Sequence, residues 1–390
     1  MLLTDIDGVF SSGIHCGIKD TEALDLGYIY VPNCVGSAIV QSQNVIRSVT
    51  LDHNESVFKE GPVKLMVINS GNANSVTGDV GIKHVHETVE KAANCFGCSI
   101  SDVGVASTGI IGVPLPIQSI LNGLELFSGD EKRGDLCAEA ILTTDLVSKT
   151  AFRSIEIQGQ MVHLSGITKG SGMISPNMAT TLGFVVTNLA MDSDMCQSVL
   201  QQAINDSYNM LSVDTDSSTN DLVSLQSSGA LALSLEDHDV IAFQHALTEL
   251  CIDLAKQIAR DGEGAEHFIE THVSGAQSKL DAKRVAKLVV DSPLVKTAIA
   301  GEDPNWGRIV MAIGKDPSVS IFQDLLCIRI NDRPIFTNGH PEPLDRAGLK
   351  AVMTAMDIVI DIVIGNGPHE ATAWGCDLTH GYIDINTEYN

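Results

Sequence analysis

The sequence predicts a layered α/β fold built from two or three structural units. Three observations carry this. Strand-like and helix-like segments interleave along the chain on both sides of Thr180, the pattern of layered α/β units rather than of independent modules. The 390 residues exceed a single core of ordinary size. Hydrophobic residues make up 44% of the chain and mean hydropathy is +0.14, so a substantial core can be buried.

Each element follows from local pattern. Pro62–Ser70 (PVKLMVINS) reads as a buried strand entering the loop GNANSVTGD. Gly81–Gly97 is helical, with Val85, Val89, Ala92 and Ala93 on one face. DVGVAS is a short strand leading into STGIIG, and PIQSILNGLELF and DLCAEAILTT read as helices. Ala151–Gly170 reads as a hairpin turning at Gly159. In the second half, TLGFVVTN is a strand and Asp192–Ser212 a helix with an Asp/Ser start. DLVSLQSSG is a strand, Val240–Gly262 a long amphipathic helix, and LCIRINDRPIF a strand–turn–strand. No low-complexity linker or short-period repeat interrupts the series.

Charge and cysteine content narrow the function classes. A formal charge of −25, with an isoelectric point near 4.6, argues against nucleic acid and anionic membranes, which need clustered Lys and Arg. Nine scattered cysteines show no disulfide spacing, which points to a reducing cytoplasm. Cys95 and Cys98 form a lone C-F-G-C, the tail of a helix rather than half of a zinc site. The opening MLLTDIDGVFSSG lacks a signal-peptide pattern. The apolar run MDIVIDIVIG is broken by Asp357 and Asp361 and is too short to span a bilayer.

Four stretches imitate known chemistry. Asp5-Ile6-Asp7-Gly8 resembles a phosphotransferase aspartate pair, but no strand precedes it and it is expected at a ragged N-terminus. His84 and His86, two apart on a helix, point to different faces. Asp214–Ser217 opens like a calcium loop, yet Thr219 stands where Gly is needed and Leu225 where Glu is needed. A bland turn does not explain the polar density of DTDSSTND. Asn69–Asn74, after a buried strand, suits a structural loop or an anion cradle equally.

The stretch from Lys169 to Asn188 combines a loop of small residues with a β-branched strand, and Thr180 and Thr181 sit on the seam. Together with NSGNAN (69–74), ASTGIIG (106–112), DPNWGR (303–308) and AWGCDLTHGYIDIN (373–386), in that order, it resembles the ornithine acetyltransferase (glutamate N-acetyltransferase) family of arginine biosynthesis. The resemblance covers nearly the whole chain, from SGIHCGIKD onward. It implies a layered α-β-β-α sandwich, similar to but distinct from the N-terminal-nucleophile hydrolases. It also implies self-cleavage at Ala179–Thr180 into an alpha chain, 1–179, and a beta chain, 180–390. Thr181 stands where the family more often has methionine.

The chemistry of such a site is physically coherent. A threonine hydroxyl needs an adjacent base. Cleavage supplies an α-amino group with an ordinary pKa of roughly 7.7–8, close to working pH. The resemblance assigns Thr108 and Gly109 to the oxyanion hole. It assigns Thr143, Lys169, Thr180, Glu263 and Asn386 to substrate binding, with Lys169 suited to an α-carboxylate. Glu266-His267 replace the family's Thr-Lys, Thr215 replaces a usual Gly, and the family's final Thr or Ser ligand would lie one residue beyond Asn390.

The implied reaction moves an acetyl group from N2-acetylornithine to glutamate by a ping-pong route, with no metal or redox cofactor. Acetyl-CoA stands as an alternative donor that some members use. Processed chains of the family assemble as two plus two. The rival reading from the residues is a self-processing amidohydrolase or aminopeptidase, in which water empties the acyl-enzyme. A non-catalytic binding protein fits poorly with intact Thr180, Thr108, Gly109 and Lys169.

Overall fold

The computed structural model describes residues 1–175, 181–343 and 345–388. The expected cleavage pair Ala179 and Thr180 therefore lies outside the described residues. In chain order the elements are β1 (Phe10–Ile14), β2 (Leu26–Tyr30), β3 (Gly36–Gln41), α1 (Val49–Glu60), β4 (Leu65–Asn72), α2 (Gly78–Phe96), β5 (Val103–Ile110), α3 (Ile117–Leu124), α4 (Gly134–Ala140), β6 (Lys149–Ile157), β7 (Gln160–Lys169) and β8 (Leu182–Leu189). There follow α5 (Ser193–Asn205), β9 (Leu211–Ser212), β10 (Leu222–Leu231), α6 (Asp237–Arg260), β11 (Phe268–Ala276), α7 (Lys279–Val290), α8 (Pro293–Ala300) and α9 (Trp306–Ile313). The chain closes with β12 (Cys327–Ile330), β13 (Arg333–Thr337), β14 (His340–Pro341), α10 (Arg346–Met353), β15 (Asp357–Val363), β16 (His369–Cys376) and α11 (His380–Glu388).

The first unit holds Met1–Gly170 and most of the chain up to Leu254. It contains a four-stranded sheet, β1-β2-β4-β5, and a five-stranded sheet, β3-β10-β8-β7-β6. Strand alternation sorts their side chains into layers. Leu26, Tyr28, Leu65, Val67, Val103 and Val105 turn to one side of the four-stranded sheet, into a cluster with Val85, Val89 and Ala92 of α2 and Ile120 and Leu124 of α3. Ile29, Met66, Ile68 and Ala106 turn the other way and share a second cluster with Ile167, Leu182, Phe184 and Val186 of the five-stranded sheet. Residues of α1 and α4 complete that cluster. The far side of the five-stranded sheet meets α6, where a Cβ on Gly166 would lie 2.9 Å from Leu254 and 3.0 Å from Leu250. Helix, sheet, sheet and helix are thus stacked as layers, the expected α-β-β-α sandwich.

The second unit comprises Ser171–Ser175, Met210–Asp216 and Ala255–Asn390. Its seven-stranded sheet runs β14-β13-β12-β15-β11-β16-β9. The apolar run near Met356 is strand β15, paired in parallel with β11, and its alternating exposure explains how Asp357 and Asp361 interrupt it without breaking it. α7 covers β11 and β16 through Val285, Ala286 and Val289, all fully buried.

Most sequence-predicted elements are present, including the Gly159 hairpin, where Gly159 takes φ +75°. α2 ends at Gly97 in the left-handed conformation, so Cys95 and Cys98 do flank a helix terminus. The N-terminus is not ragged, contrary to expectation. Leu3, Ile6 and Val9 are core residues, and Asp5 accepts from the Leu2 amide at 2.7 Å. β1, β3 and α1 went unread because their sequences, FSSGI, GSAIVQ and VTLDHNESVFKE, are short, rich in small or polar residues, and lack clear periodicity.

Candidate active site

In the first unit, several expected site residues converge on the ends of β5 and β7. Thr108 and Gly109 lie near the end of β5. Gly109 takes φ +130°, and a Cβ there would lie 2.3 Å from the Gly71 carbonyl carbon and 2.5 Å from the Asn72 nitrogen. The β4–β5 ladder shifts register at Asn72, so only glycine fits. Lys169 ends β7, is largely buried, and donates from Nζ to Thr108 Oγ1 at 3.3 Å. An ammonium occupying a lone pair of that oxygen leaves the hydroxyl hydrogen available for another acceptor.

Thr143 joins the same cluster through a carboxylate that sequence reading passed over. The Thr143 amide donates to Asp145 Oδ2 at 3.0 Å. Asp145 Oδ1 accepts from the Gly170 amide at 2.6 Å and from Lys149 Nζ at 2.7 Å. Both Asp145 and Lys149 side chains are fully buried. Burial pushes the Asp145 carboxyl up, but Lys169 and Lys149 outweigh it and hold it at about 2. The stability this pair contributes is therefore present above the ordinary carboxylate range and is lost as pH falls toward about 2. Asp145→Asn removes the buried carboxylate charge that Lys149 and Lys169 act on and is expected to cost roughly 3 kcal/mol in equilibrium denaturation at neutral pH. The signal for Asp145 was its place two residues after Thr143 in TTD, followed by Lys149 at i+4.

Thr181, the second hydroxyl at the seam, is engaged. Its Oγ1 donates to the Lys169 carbonyl and lies 3.2 Å from Thr168 Oγ1. These bonds fasten the start of β8 to the end of β7, so Thr181 is a structural hydroxyl. The polar stretch DTDSSTND also gains an account. Asn220 Nδ2 donates to the carbonyls of Ala73 and of Ser107, the latter at 3.0 Å, tying the start of β10 to the strand of Thr108. The Asn69–Asn74 loop is internally bonded: Asn69 Nδ2 donates to the Asn72 carbonyl at 2.9 Å, and Asn72 Oδ1 accepts from the Asn74 amide at 2.9 Å.

In the second unit, Glu263 and Asn386 meet. Asn386 Nδ2 donates to Glu263 Oε2 at 2.7 Å, and α11 presents it there. The Glu263 carboxylate approaches Gly172 so closely that a Cβ would lie 2.3 Å from its Cδ. Asp214 accepts from the amides of Met173, at 2.5 Å, and Ile174, at 2.7 Å, which is the work of the calcium-like aspartate. The Glu266-His267 departure is absorbed by Asp377, whose Oδ1 accepts from both amides and whose Oδ2 lies 2.7 Å from His267 Nδ1. Thr215 adopts φ +71°, which accounts for glycine being the family's usual residue there.

A layered α/β protein with a lysine-supported hydroxyl beside a glycine of forced backbone geometry is suited to stabilising an acyl-transfer oxyanion. Comparison with known proteins gives the family. Residues 10–390 match the ArgJ family. The arginine biosynthesis bifunctional protein ArgJ of Zymomonas mobilis subsp. mobilis is 40% identical over 394 residues, covering 99% of this chain and 96% of the relative. That of Bacillus cereus is 39% identical over 388 residues, covering 98% and 95%. A crystal structure of the Bacillus halodurans protein of the same name matches with TM-score 0.51 and 40% identity, covering 53% of this chain and 98% of that one. This chain belongs to the ArgJ family, and its relatives are enzymes of arginine biosynthesis.

Proposed function

We propose that the protein transfers the acetyl group of N2-acetyl-L-ornithine to L-glutamate, giving ornithine and N-acetylglutamate. Full-length identity of about 40% to bifunctional arginine-biosynthesis proteins supports this. The single structural observation that carries it is the Lys169–Thr108 contact beside Gly109. In this reading Thr180 attacks the acetyl carbonyl, its proton passes to its own α-amine, and Thr108 with the Gly109 amide hold the oxyanion. Collapse expels ornithine, whose amine takes that proton. Glutamate's amine then attacks the acetyl-threonine, and the Thr180 hydroxyl is restored.

The free amine requires prior cleavage between Ala179 and Thr180. One solved relative's chain is about half as long as this one, as a processed chain would be. The sheet offers a way for two fragments to stay together: β8 and β10, after the cleavage point, are flanked in the sheet by β7 and β3, before it. We assign the product to a cytoplasmic assembly of two alpha and two beta chains that uses no metal or redox cofactor, with acetyl-CoA as an alternative donor. Among the described residues no helix is long and apolar enough to cross a membrane.

Lys169, Thr143, Glu263 and Asn386 are the proposed substrate ligands. Both substrates carry an α-carboxylate, and a charge-assisted hydrogen bond is worth roughly 1.5–3 kcal/mol. Lys169→Ala is therefore expected to raise KM for acetylornithine and for glutamate about ten- to a hundredfold. It should also lower kcat, because Thr108 loses the cation on its oxygen. Product analysis decides between transferase and hydrolase. Ornithine release must depend on glutamate and yield N-acetylglutamate; release that ignores glutamate and yields acetate overturns the transferase reading.

A further inference from the structure

Asp221 is a buried acid that the reaction above does not use. Its Oδ2 is fully shielded and has no hydrogen-bond partner among the described residues. An ionised carboxylate in that state carries a large desolvation penalty. Its chain neighbours are bonded to the segments that carry Thr108 and Thr181. The preceding residue, Asn220, donates to the Ser107 carbonyl at 3.0 Å, next to Thr108. The following residue, Leu222, donates its amide to the Thr181 carbonyl at 2.9 Å. Thr181 bonds Lys169, and Lys169 bonds Thr108. Asp221 therefore lies in the chain between two residues that bond this cluster.

We propose that Asp221 is a positioning residue for Lys169: protonated, it leaves the ammonium to the substrate's α-carboxylate; ionised, it claims the ammonium for itself and repels the incoming anion. This rests on the reading of Lys169 as the carboxylate ligand. Burial drives the Asp221 carboxyl up, Lys169 and the hydrogen bonds of Ser218 pull it partly back, and it settles at about 8. Lys169 is the charged group acting on it. Lys169 in turn faces Asp145, which is held by Lys149, and Lys19, which sits beside Asp25. Asp145 stays ionised throughout the working range, so Asp221 is the carboxyl in this cluster that changes charge there.

The sign follows directly. Below about 8 Asp221 is neutral and does not compete with substrate for Lys169. Above it, the substrate-competent fraction falls about tenfold per pH unit. The test is KM for acetylornithine, whose α-amine is acylated, measured from about pH 7 to about pH 9.5 on the processed enzyme. We expect KM to rise roughly tenfold one unit above the transition in wild type, and to stay flat over the same range in Asp221→Asn, which carries no acid to ionise. Ser218→Ala removes a hydrogen bond that favours the ionised form and should move the rise to higher pH. It keeps the test decisive if Asp221→Asn fails to fold. A purely structural role would change melting temperature without moving this profile. A flat wild-type KM, a rise that persists in Asp221→Asn, or a rise that Ser218→Ala leaves in place overturns the proposal. Lys169→Ala at about pH 7 separates the two layers. If it leaves KM unchanged, the reading of Lys169 fails; if it raises KM while the wild-type profile is flat, only the role of Asp221 fails.

Discussion

A Thr180→Ala chain is expected to remain one polypeptide of 390 residues and to transfer no acetyl group, whereas the parent chain yields fragments 1–179 and 180–390. Cleavage needs the Thr180 hydroxyl to attack the Ala179 carbonyl, shift the acyl bond from nitrogen to oxygen, and let water release Ala179 as a carboxylate. Alanine has no oxygen to begin this. The same substitution removes the acyl acceptor of the transfer reaction, so both activities vanish together rather than declining by degrees. Denaturing mass spectrometry and an ornithine-release assay read the two outcomes. A parent chain that stays whole yet transfers acetyl groups would remove the terminal amine from the mechanism. Under native conditions the two parent fragments should co-migrate, because β8 and β10 of the second fragment are paired with β7 and β3 of the first, and separation breaks both ladders. Thr180→Ser is expected to keep cleavage and transfer at reduced rates, since hydroxyl and amine are both retained.

Much of this arrangement was legible in the sequence, for identifiable reasons. The hairpin at Gly159 and the strand after Thr181 carry strong β-branched patterning between turn residues, and both are present. The proposed oxyanion pair rests on the family resemblance, because STG after a short strand reads by itself as an ordinary loop; the structure adds that Gly109 takes a backbone geometry other residues cannot. Asp145 and Asp221 were not legible. Asp145 carried only the weak signal of Lys149 at i+4, and Asp221 is one of three acids in DTDSSTND; what distinguishes them, burial near Lys169, is created only when separate segments pack. The N-terminal segment failed for a related reason. Leu3, Ile6 and Val9 recur every third residue over too short a run to read as a helix, yet all three enter the core, and Lys132 reaches back to the carbonyls of Thr4 and Val9. The split between units also cuts across the chain order, with Ser171–Ser175 and Met210–Asp216 belonging to the second unit, an assignment that no composition shift announces.

Thr108→Ala is expected to lower kcat about 10²–10³-fold while changing KM for acetylornithine little. The oxyanion forms only as the acyl carbon becomes tetrahedral, so a donor aimed at it acts on the transition state rather than on the bound substrate. Thr108 is well prepared for that role. Its Oγ1 accepts from Lys169 Nζ at 3.3 Å, which polarises the hydroxyl and directs its hydrogen elsewhere. It stands one residue before Gly109, whose φ of +130° sets the backbone there in a conformation closed to other residues. Removing the hydroxyl also frees Lys169, and a freed ammonium would bind the substrate carboxylate at least as well, so KM should not rise. Thr108→Ser keeps the donor and should recover most of kcat. The comparison that decides is the kcat-against-KM split in the two variants, measured on chains first shown to be processed. If Thr108→Ala slows cleavage as well, the same donors serve both reactions, because each passes through an oxyanion on the carbon that Thr180 attacks. A variant that turns over at the parent rate would take Thr108 out of the oxyanion hole.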